Sequence, residues 1–359
     1  MDDCKQMISS KVDAGERLTL EDGLYLYAQD DLLWLGQLAL KKKRAISGNQ
    51  VFFNVNHHIN LTNICKSLCR FCAFGRKDDA DGAYVMNMDR VKREAAVARA
   101  NGATEFHVVS AMHPELPFSY YLQVLQYLKE SYPDIYIQAF TAVEIFNFAQ
   151  TSGLSLTATL QQLIAAGLDS IPGGGAEILD DDLRRWLCPH KANSEEWLRV
   201  HRIAHRLGLK TNATMLYGHI DSVEQRVGHL LKLRALQDEY QGFQAFIPLP
   251  FLPENTRMDY IKRTSAIDDI KTMAIARLLL DNFPHIKAFW IMLGIDVAQL
   301  ALNFGADDLD GTVHEEKIMH AAGAETARGM QKSEIIDIIK ITGFQPVERD
   351  TLYNVIKSY

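Results

Sequence analysis

The rhythm of apolar and polar positions changes near residue 50. Before it the chain reads as helix throughout. Apolar residues are dense over Leu24–Leu40, and the basic run Lys41–Arg44 reads as a solvated helix end. After it, short apolar runs alternate with longer amphipathic stretches. The apolar runs predict strands at Val55–Leu61, Glu105–Val109, Ile135–Phe140, Ser170–Ile171, Lys210–Leu216, Phe243–Pro248 and Ala288–Leu293, with a last one near Phe304–Leu309. Helical periodicity predicts helices at Asp89–Asn101, Tyr120–Ser131, Leu156–Ala166, Ser194–Leu207, Ser222–Tyr240 and Ile267–Asn282. Asp89, Thr157, Ser194 and Ser222 are candidate N-caps, and Gly102, Gly167 and Gly208 candidate stops.

Strand then helix, repeated about eight times, predicts an α/β fold of the (β/α)8 TIM-barrel type. An open doubly wound sheet is the other arrangement. Residues 1–50 read as an N-terminal helical extension, 51–312 as the barrel, and 313–359 as a C-terminal helical segment packed on it. A barrel gathers its site at the carboxyl ends of the strands. Those ends carry unusual residues: Cys65–Cys72, Ser110–Pro114, Thr141–Glu144, Gly173–Glu177, Asn212–His219, Pro248–Thr256 and Asp307–Thr312.

Composition narrows the class. With 38 Lys and Arg against 45 Asp and Glu, the net charge is −7, which is not the footprint of a general nucleic-acid binder. Small anionic substrates remain open, since they need only a local cationic pocket. No stretch approaches about 18 uncharged apolar residues, so no membrane span is expected. The start, MDDCKQM, lacks the basic and apolar regions of a secretory signal. Three of the five cysteines fall within eight residues, which points to a reduced, cytoplasmic protein with a metal site rather than a disulfide framework.

That site is Cys65-Lys-Ser-Leu-Cys69-Arg-Phe-Cys72, directly after the first expected strand. Three thiolates on one loop can hold three irons of a cubane and leave the fourth iron free for a small molecule. A zinc knuckle completed by His57 or His58, or three inert thiols, is the plainer alternative. Cys188 stands alone beside a proline and reads as packing.

With Phe71 before its third cysteine, the C-x3-C-x2-C loop resembles that of the radical S-adenosylmethionine (SAM) superfamily. The resemblance implies a radical SAM barrel, a [4Fe–4S] cluster on Cys65, Cys69 and Cys72, and SAM chelating the open iron. It also implies an external electron donor such as flavodoxin or ferredoxin. In that setting Ser110, Ala111 and Met112 are candidates to meet the SAM amino group through their backbone, although relatives carry two glycines where Ser110 and Ala111 stand. Glu144 and Glu177 are candidates for the ribose diol or the SAM ammonium; both also read as ordinary helix N-terminal carboxylates. Asn212 and Thr214 share one face of a strand, suited to a sugar or a carboxylate or to a polar layer in the barrel. Gln244 could join them. His58, His113, Tyr217, His219 and Arg257 are candidates to contact substrate, and His113 reads equally as a loop histidine bonded to backbone.

The resemblance extends further. Gln138-Ala-Phe-Thr-Ala-Val-Glu144, Asp169-Ser-Ile-Pro-Gly-Gly-Gly-Ala-Glu177, the run His201–His219, Phe246-Ile-Pro-Leu and the block Asp307–Val313 are similar to the aminofutalosine synthase family of menaquinone biosynthesis. Leu61 stands where relatives commonly have proline. The family's reaction adds the 5′-deoxyadenosyl radical to 3-[(1-carboxyvinyl)oxy]benzoate and yields 6-amino-6-deoxyfutalosine, methionine and bicarbonate. Its substrate has two carboxylates, for which Arg76, Arg257 and Lys287 are candidate partners. A dehypoxanthinylfutalosine cyclase, a deazaflavin-precursor synthase subunit, and a non-catalytic iron–sulfur or zinc module are the alternatives.

Overall fold

A computed structural model describes residues 3–359. Three helices open it: α1 (Asp3–Ala14), α2 (Leu20–Ala28) and α3 (Leu32–Ser47). Leu35, Leu38 and Ala39 form the buried stripe of α3. The basic run at its end is only partly solvated. Lys43 is buried, its Nζ donating to Leu302 O at 2.8 Å and lying 3.4 Å from the Phe344 ring centroid. Burial pushes its pKa down to about 7. Lys43 therefore fastens the extension to the barrel rather than facing water.

The strands are β1 (Gln50–Asn54), β2 (Asn56–Ile59), β3 (Glu105–Val108), β4 (Tyr136–Ala139), β5 (Ser170–Ile171), β6 (Lys210–Tyr217), β7 (Phe243–Pro250), β8 (His285–Ile286), β9 (Asp308–Gly311), β10 (Gln345–Arg349) and β11 (Val355–Ser358). Strands β2 to β8 form one parallel sheet in sequence order. Lys287, just past β8, bridges Asp308 of β9; β9 pairs with β1; and β1 runs into β2 through Val55. The ring is closed. Counting β1 with β2 as one position and β3 to β9 as seven gives the eight of a (β/α)8 barrel.

The main outer helices are α4 (Met88–Ala100), α5 (Phe118–Ser131), α6 (Ala142–Ser152), α7 (Leu156–Ala165), α8 (Asp181–Leu187), α9 (Ser194–Arg206), α10 (Val223–Tyr240) and α11 (Ala266–Leu279). Short α12 (Trp290–Leu293), α13 (Ile295–Ala301) and α14 (Ile318–Ala321) follow, then α15 (Lys332–Ile341). Helix α9 shows why these segments are helical: Trp197, Val200, His201 and Ala204 fall on one buried face.

Several boundaries differ from the sequence reading. Ala288–Leu293 is not a strand; its apolar run forms α12, and the strand is the preceding pair His285–Ile286. The caps of α4, α7 and α9 are Asn87, Ser155 and Asn193, whose side-chain oxygens accept from the amides of Arg90, Ala158 and Glu196. Ser222 does cap α10. The C-terminal segment holds α14 and α15 but also β10 and β11, with β10 lying parallel to β1.

The barrel floor is held by buried ion pairs. Arg277 donates to Asp307 Oδ1 at 2.6 Å and Arg349 to Asp308 Oδ2 at 2.7 Å, with all four side chains essentially solvent-free. Removing one partner of such a pair strands a buried charge, at a cost of about 3–5 kcal/mol. At the strand ends, Gly173 packs so tightly on β6 that a Cβ there would lie 2.5 Å from the Ala213 carbonyl carbon.

Candidate active site

The loop of residues 65–72 leaves the top of β2 and is braced from four directions. Cys65 N donates to Arg76 O at 2.9 Å, Lys66 N to Met112 O at 2.9 Å, Arg70 N to Leu187 O at 3.0 Å, and Arg257 N to Arg70 O at 3.0 Å. The Arg257 guanidinium also donates to Leu68 O. Leu68, at φ 40°, is held in the left-handed region by this bracing. Cys65, Cys69 and Cys72 all line a cavity of about 220 Å3 at the strand ends.

The thiols suit a cluster better than one ion. Among the described residues no three His, Cys, Asp or Glu side chains converge at the spacing of a single metal ion. A tetrahedral zinc needs such convergence, whereas a cubane takes each thiolate on a different iron. Cys72 Sγ accepts from Gly75 N at 3.4 Å, and Ser67 Oγ lies 3.3 Å from Cys69 Sγ. The structure also brings Cys188 beside Cys69, which sequence spacing concealed. A hydrogen bond with Cys188 and the charge of Lys191 draw the Cys69 thiol down, towards the thiolate form that ligates metals in general.

Ser110, Ala111, Met112, Glu144, Glu177 and Thr214 line the same cavity. Their engagements differ. Glu144 closes a capping box at the start of α6, where Oε2 accepts from Thr141 N at 2.8 Å and Thr141 Oγ at 2.7 Å. Its Oε1 accepts from Ser110 N at 2.7 Å. Burial outweighs these donors and pushes its pKa up to about 7. Glu144 thus ties the Ser110–Met112 segment to α6. Glu177, at φ 48°, pairs with Lys191 at 2.7 Å. Arg184 on α8 fastens this loop by donating to the carbonyls of Ala176 and Ala192.

A second cavity of about 130 Å3 lies inside the barrel and shares Val109, Thr141, Gly174, Thr214 and Leu249 with the first. Asn212 belongs here, not to the first cavity. His58 and His107 stack at 4.3 Å, and Lys287 Nζ donates to Asp310 Oδ1 at 2.7 Å. Burial alone would push the Asp310 carboxyl up; the Lys287 charge holds it down at about 2.

Six expected ligands stand elsewhere. Gln244 sits at the opposite end of the barrel, donating to Thr351 O at 3.2 Å, because it opens β7 rather than closing it. Tyr217 turns outward and donates to Asp269 Oδ1 at 2.7 Å. His219 lines neither cavity; its Nδ1 accepts from Ile220 N at 2.8 Å. His113 accepts from Glu115 N and Leu116 N, the work of a loop histidine. Arg257 braces the thiol loop, as does Arg76, which donates to Ala73 O at 2.6 Å. Sequence reasoning missed Lys191 as a cavity residue, and also His107, Gln138 and Asp310. The alternation of His58 with His107 and Gln138 on adjacent inward-facing strand positions was the available signal.

Three thiols on one loop at the mouth of a closed parallel barrel place the chain in the radical SAM class. The radical SAM superfamily model matches residues 59–233, and the model for the CofH/MqnC C-terminal region matches 240–358. The chain is 44% identical to aminodeoxyfutalosine synthase of Streptomyces coelicolor, over 99% of this chain and 95% of that one. It is 43% identical to the Thermus thermophilus enzyme of the same name, over 98% and 95%. It is 42% identical to 5-amino-6-(D-ribitylamino)uracil–L-tyrosine 4-hydroxyphenyl transferase of Methanopyrus kandleri, over 88% and 86%. Methylornithine synthase (PylB) shares the fold at TM-score 0.76 and 20% identity, covering 94% of this chain and 97% of that one. The chain belongs to the aminodeoxyfutalosine synthase family of radical SAM enzymes. Among the described residues no helix is long and apolar enough to cross a membrane.

Proposed function

We propose that this enzyme joins the 5′-deoxyadenosyl group of SAM to 3-[(1-carboxyvinyl)oxy]benzoate, giving 6-amino-6-deoxyfutalosine, methionine and bicarbonate. The observation that carries this reading is the 44% identity to the Streptomyces enzyme across nearly the whole of both chains. We assign a [4Fe–4S] cluster to Cys65, Cys69 and Cys72 and SAM to the cavity above them. When bound, the cluster supplies the electron that splits SAM into methionine and an adenosyl radical. A flavodoxin or ferredoxin is the electron donor in this reading, and the cytoplasm is the compartment.

The chain's own residues then have separate tasks. The backbone of Ser110–Met112, tied down by Glu144, offers groups to SAM at close range. Glu177 accepts from its ammonium or ribose, with Lys191 holding the carboxylate in place. Leu249, Phe251, Met292 and Met319 line the remaining wall and exclude water. The radical must meet carbon, so the alkene has to lie within about 3–3.5 Å of it. The junction of the two cavities, at Thr141, Gly174 and Thr214, is where such an encounter fits.

The test uses cluster-loaded protein, SAM labelled in its adenosyl carbons, and the carboxyvinyloxybenzoate. Label should appear in aminofutalosine with matching methionine. Label only in free 5′-deoxyadenosine would overturn the reading. The second reading, suggested by the 42% identity to the Methanopyrus transferase, requires tyrosine and the ribitylaminouracil as substrates. A cyclase would release label as 5′-deoxyadenosine when given dehypoxanthinylfutalosine.

A further inference from the structure

The inner cavity is polar at one end and apolar along its sides. Lys287, Asn212, Gln138 and His58 all line it, and each is more than nine-tenths buried. Burial of so many polar groups is costly unless each is hydrogen-bonded. Here the bonding is incomplete. His58 Nε2 has no partner, and Asn212 Oδ1 has none, its amide nitrogen reaching Gln138 Oε1 only at 3.5 Å. Turning the Asn212 amide over would present its NH2 instead of its oxygen; the two orientations are equivalent in shape, and the Gln138 amide has to turn with it so that its NH2 meets the Asn212 oxygen. Lys287 has three N–H donors, of which Asp310 takes one at 2.7 Å.

The acidic groups nearby are already matched. Asp310 is held by Lys287, and Glu316 accepts from Ile318 N at 2.7 Å and lies 2.8 Å from His320 Nδ1. What the cavity offers an anion is the two remaining N–H donors of Lys287 and the unpartnered edge of His58, with Asn212 joining them once its amide is turned. Its sides are Val109, Ile247, Leu249, Pro172 and Phe289, which suit a flat ring rather than a sugar.

We propose that the inner cavity is a subsite for an aromatic carboxylate, with Lys287 and Asn212 donating to the carboxylate and His58 against it. This rests on the proposed reaction, and it sets the substrate's direction: ring carboxylate inward, alkene at the junction with the SAM cavity. No other cation lines the inner cavity among the described residues, so the ring acid is selected here.

The test is binding to cluster-loaded protein by calorimetry, with 3-hydroxybenzoate and 3-hydroxybenzamide as probes. The acid should bind roughly 10- to 100-fold more tightly than the amide, as a charge-assisted hydrogen bond implies. Lys287→Met combined with Asp310→Asn, which removes both charges together, should erase that preference. His58→Phe, which keeps the ring stack, should weaken both probes and serves if the double variant does not fold. Equal binding of acid and amide by the unmodified protein overturns the subsite. So does a preference that survives the double variant, or unchanged binding of both probes to His58→Phe. The labelled-SAM assay is separate: an enzyme that prefers the acid yet forms no adenosyl adduct keeps the subsite and sinks the proposed reaction.

Discussion

Replacing Glu144 by Gln tests the claim that this carboxylate positions the SAM-facing backbone. The carboxylate accepts from Ser110 N, Thr141 N and Thr141 Oγ at 2.7–2.8 Å. Gln has one accepting oxygen. Whichever way its amide turns, Ser110 N or Thr141 N then faces an NH2 group. A buried donor left unsatisfied costs about 1–3 kcal/mol. If the loss falls on Ser110, SAM affinity should drop about 5- to 150-fold, read by equilibrium dialysis on cluster-loaded protein. At about 2.1 cal/mol/K per residue, the same loss lowers Tm by roughly 1–4 °C in a chain of this size. The pH dependence has a definite sign. Burial raises the folded-state pKa of Glu144 from 4.5 to about 7, so the contribution to stability is present below about 4.5 and is lost as pH rises through about 7. Gln has no such titration. The stability deficit of Glu144→Gln should therefore be larger at pH 5 than at pH 8, by up to about 3 kcal/mol. Unaltered SAM affinity together with an unaltered Tm, or a deficit that grows towards high pH, would refute the reasoning.

Single Ala substitutions of Cys65, Cys69 or Cys72 should remove most of the iron and all turnover, whereas Cys188→Ala should retain iron by elemental analysis. The assignment of ligands fails if Cys69→Ala stays active. Glu177→Gln breaks a 2.7 Å ion pair with Lys191 at the cavity wall, so KM for SAM should rise about tenfold or more while Tm changes little. An unchanged KM would return Glu177 to a structural role. Gly173→Ala should destabilise by at least about 1–3 kcal/mol, because its Cβ meets Ala213 backbone, which cannot swing aside as a side chain can. Wild-type thermal stability in that variant would show that β5 has slack.

Most of the barrel was legible because its outer helices are amphipathic and its long strands apolar. The 142–152 helix escaped notice although it is as amphipathic as most of those that were read: only two residues separate it from β4, so its apolar opening continues the apolar run of the strand. Its Thr141–Glu144 capping box was nevertheless visible in sequence. Strand β8 is only two residues long, and the apolar run after it has no period that separates strand from helix. The thiol loop could be read from spacing alone. Lys191 and Cys188 could not, since they reach the loop only after α8 folds over it and Leu187 O takes Arg70 N. Gln244 and Tyr217 failed as ligands because strand periodicity says which side a residue faces only once the end and the register of its strand are known.

Closure of the ring between its first and last strands has a consequence for synthesis. Strand β9, which seals the barrel against β1, ends at Gly311, 239 residues beyond Cys72 (311 − 72). At a translation rate of about 5–20 residues per second, the loop with its three thiols leaves the ribosome roughly 12–48 s before the sheet can close beneath it. For that interval the nascent chain shows three neighbouring thiols on an open, unpaired sheet edge. Oxidants and stray thiophilic metals can reach them then far more readily than in the finished enzyme. If these thiols take the proposed cluster, its assembly is in this sense a race against the chain's own completion, and slow translation over residues 72–311 should increase the yield of protein with mispaired or zinc-filled thiols.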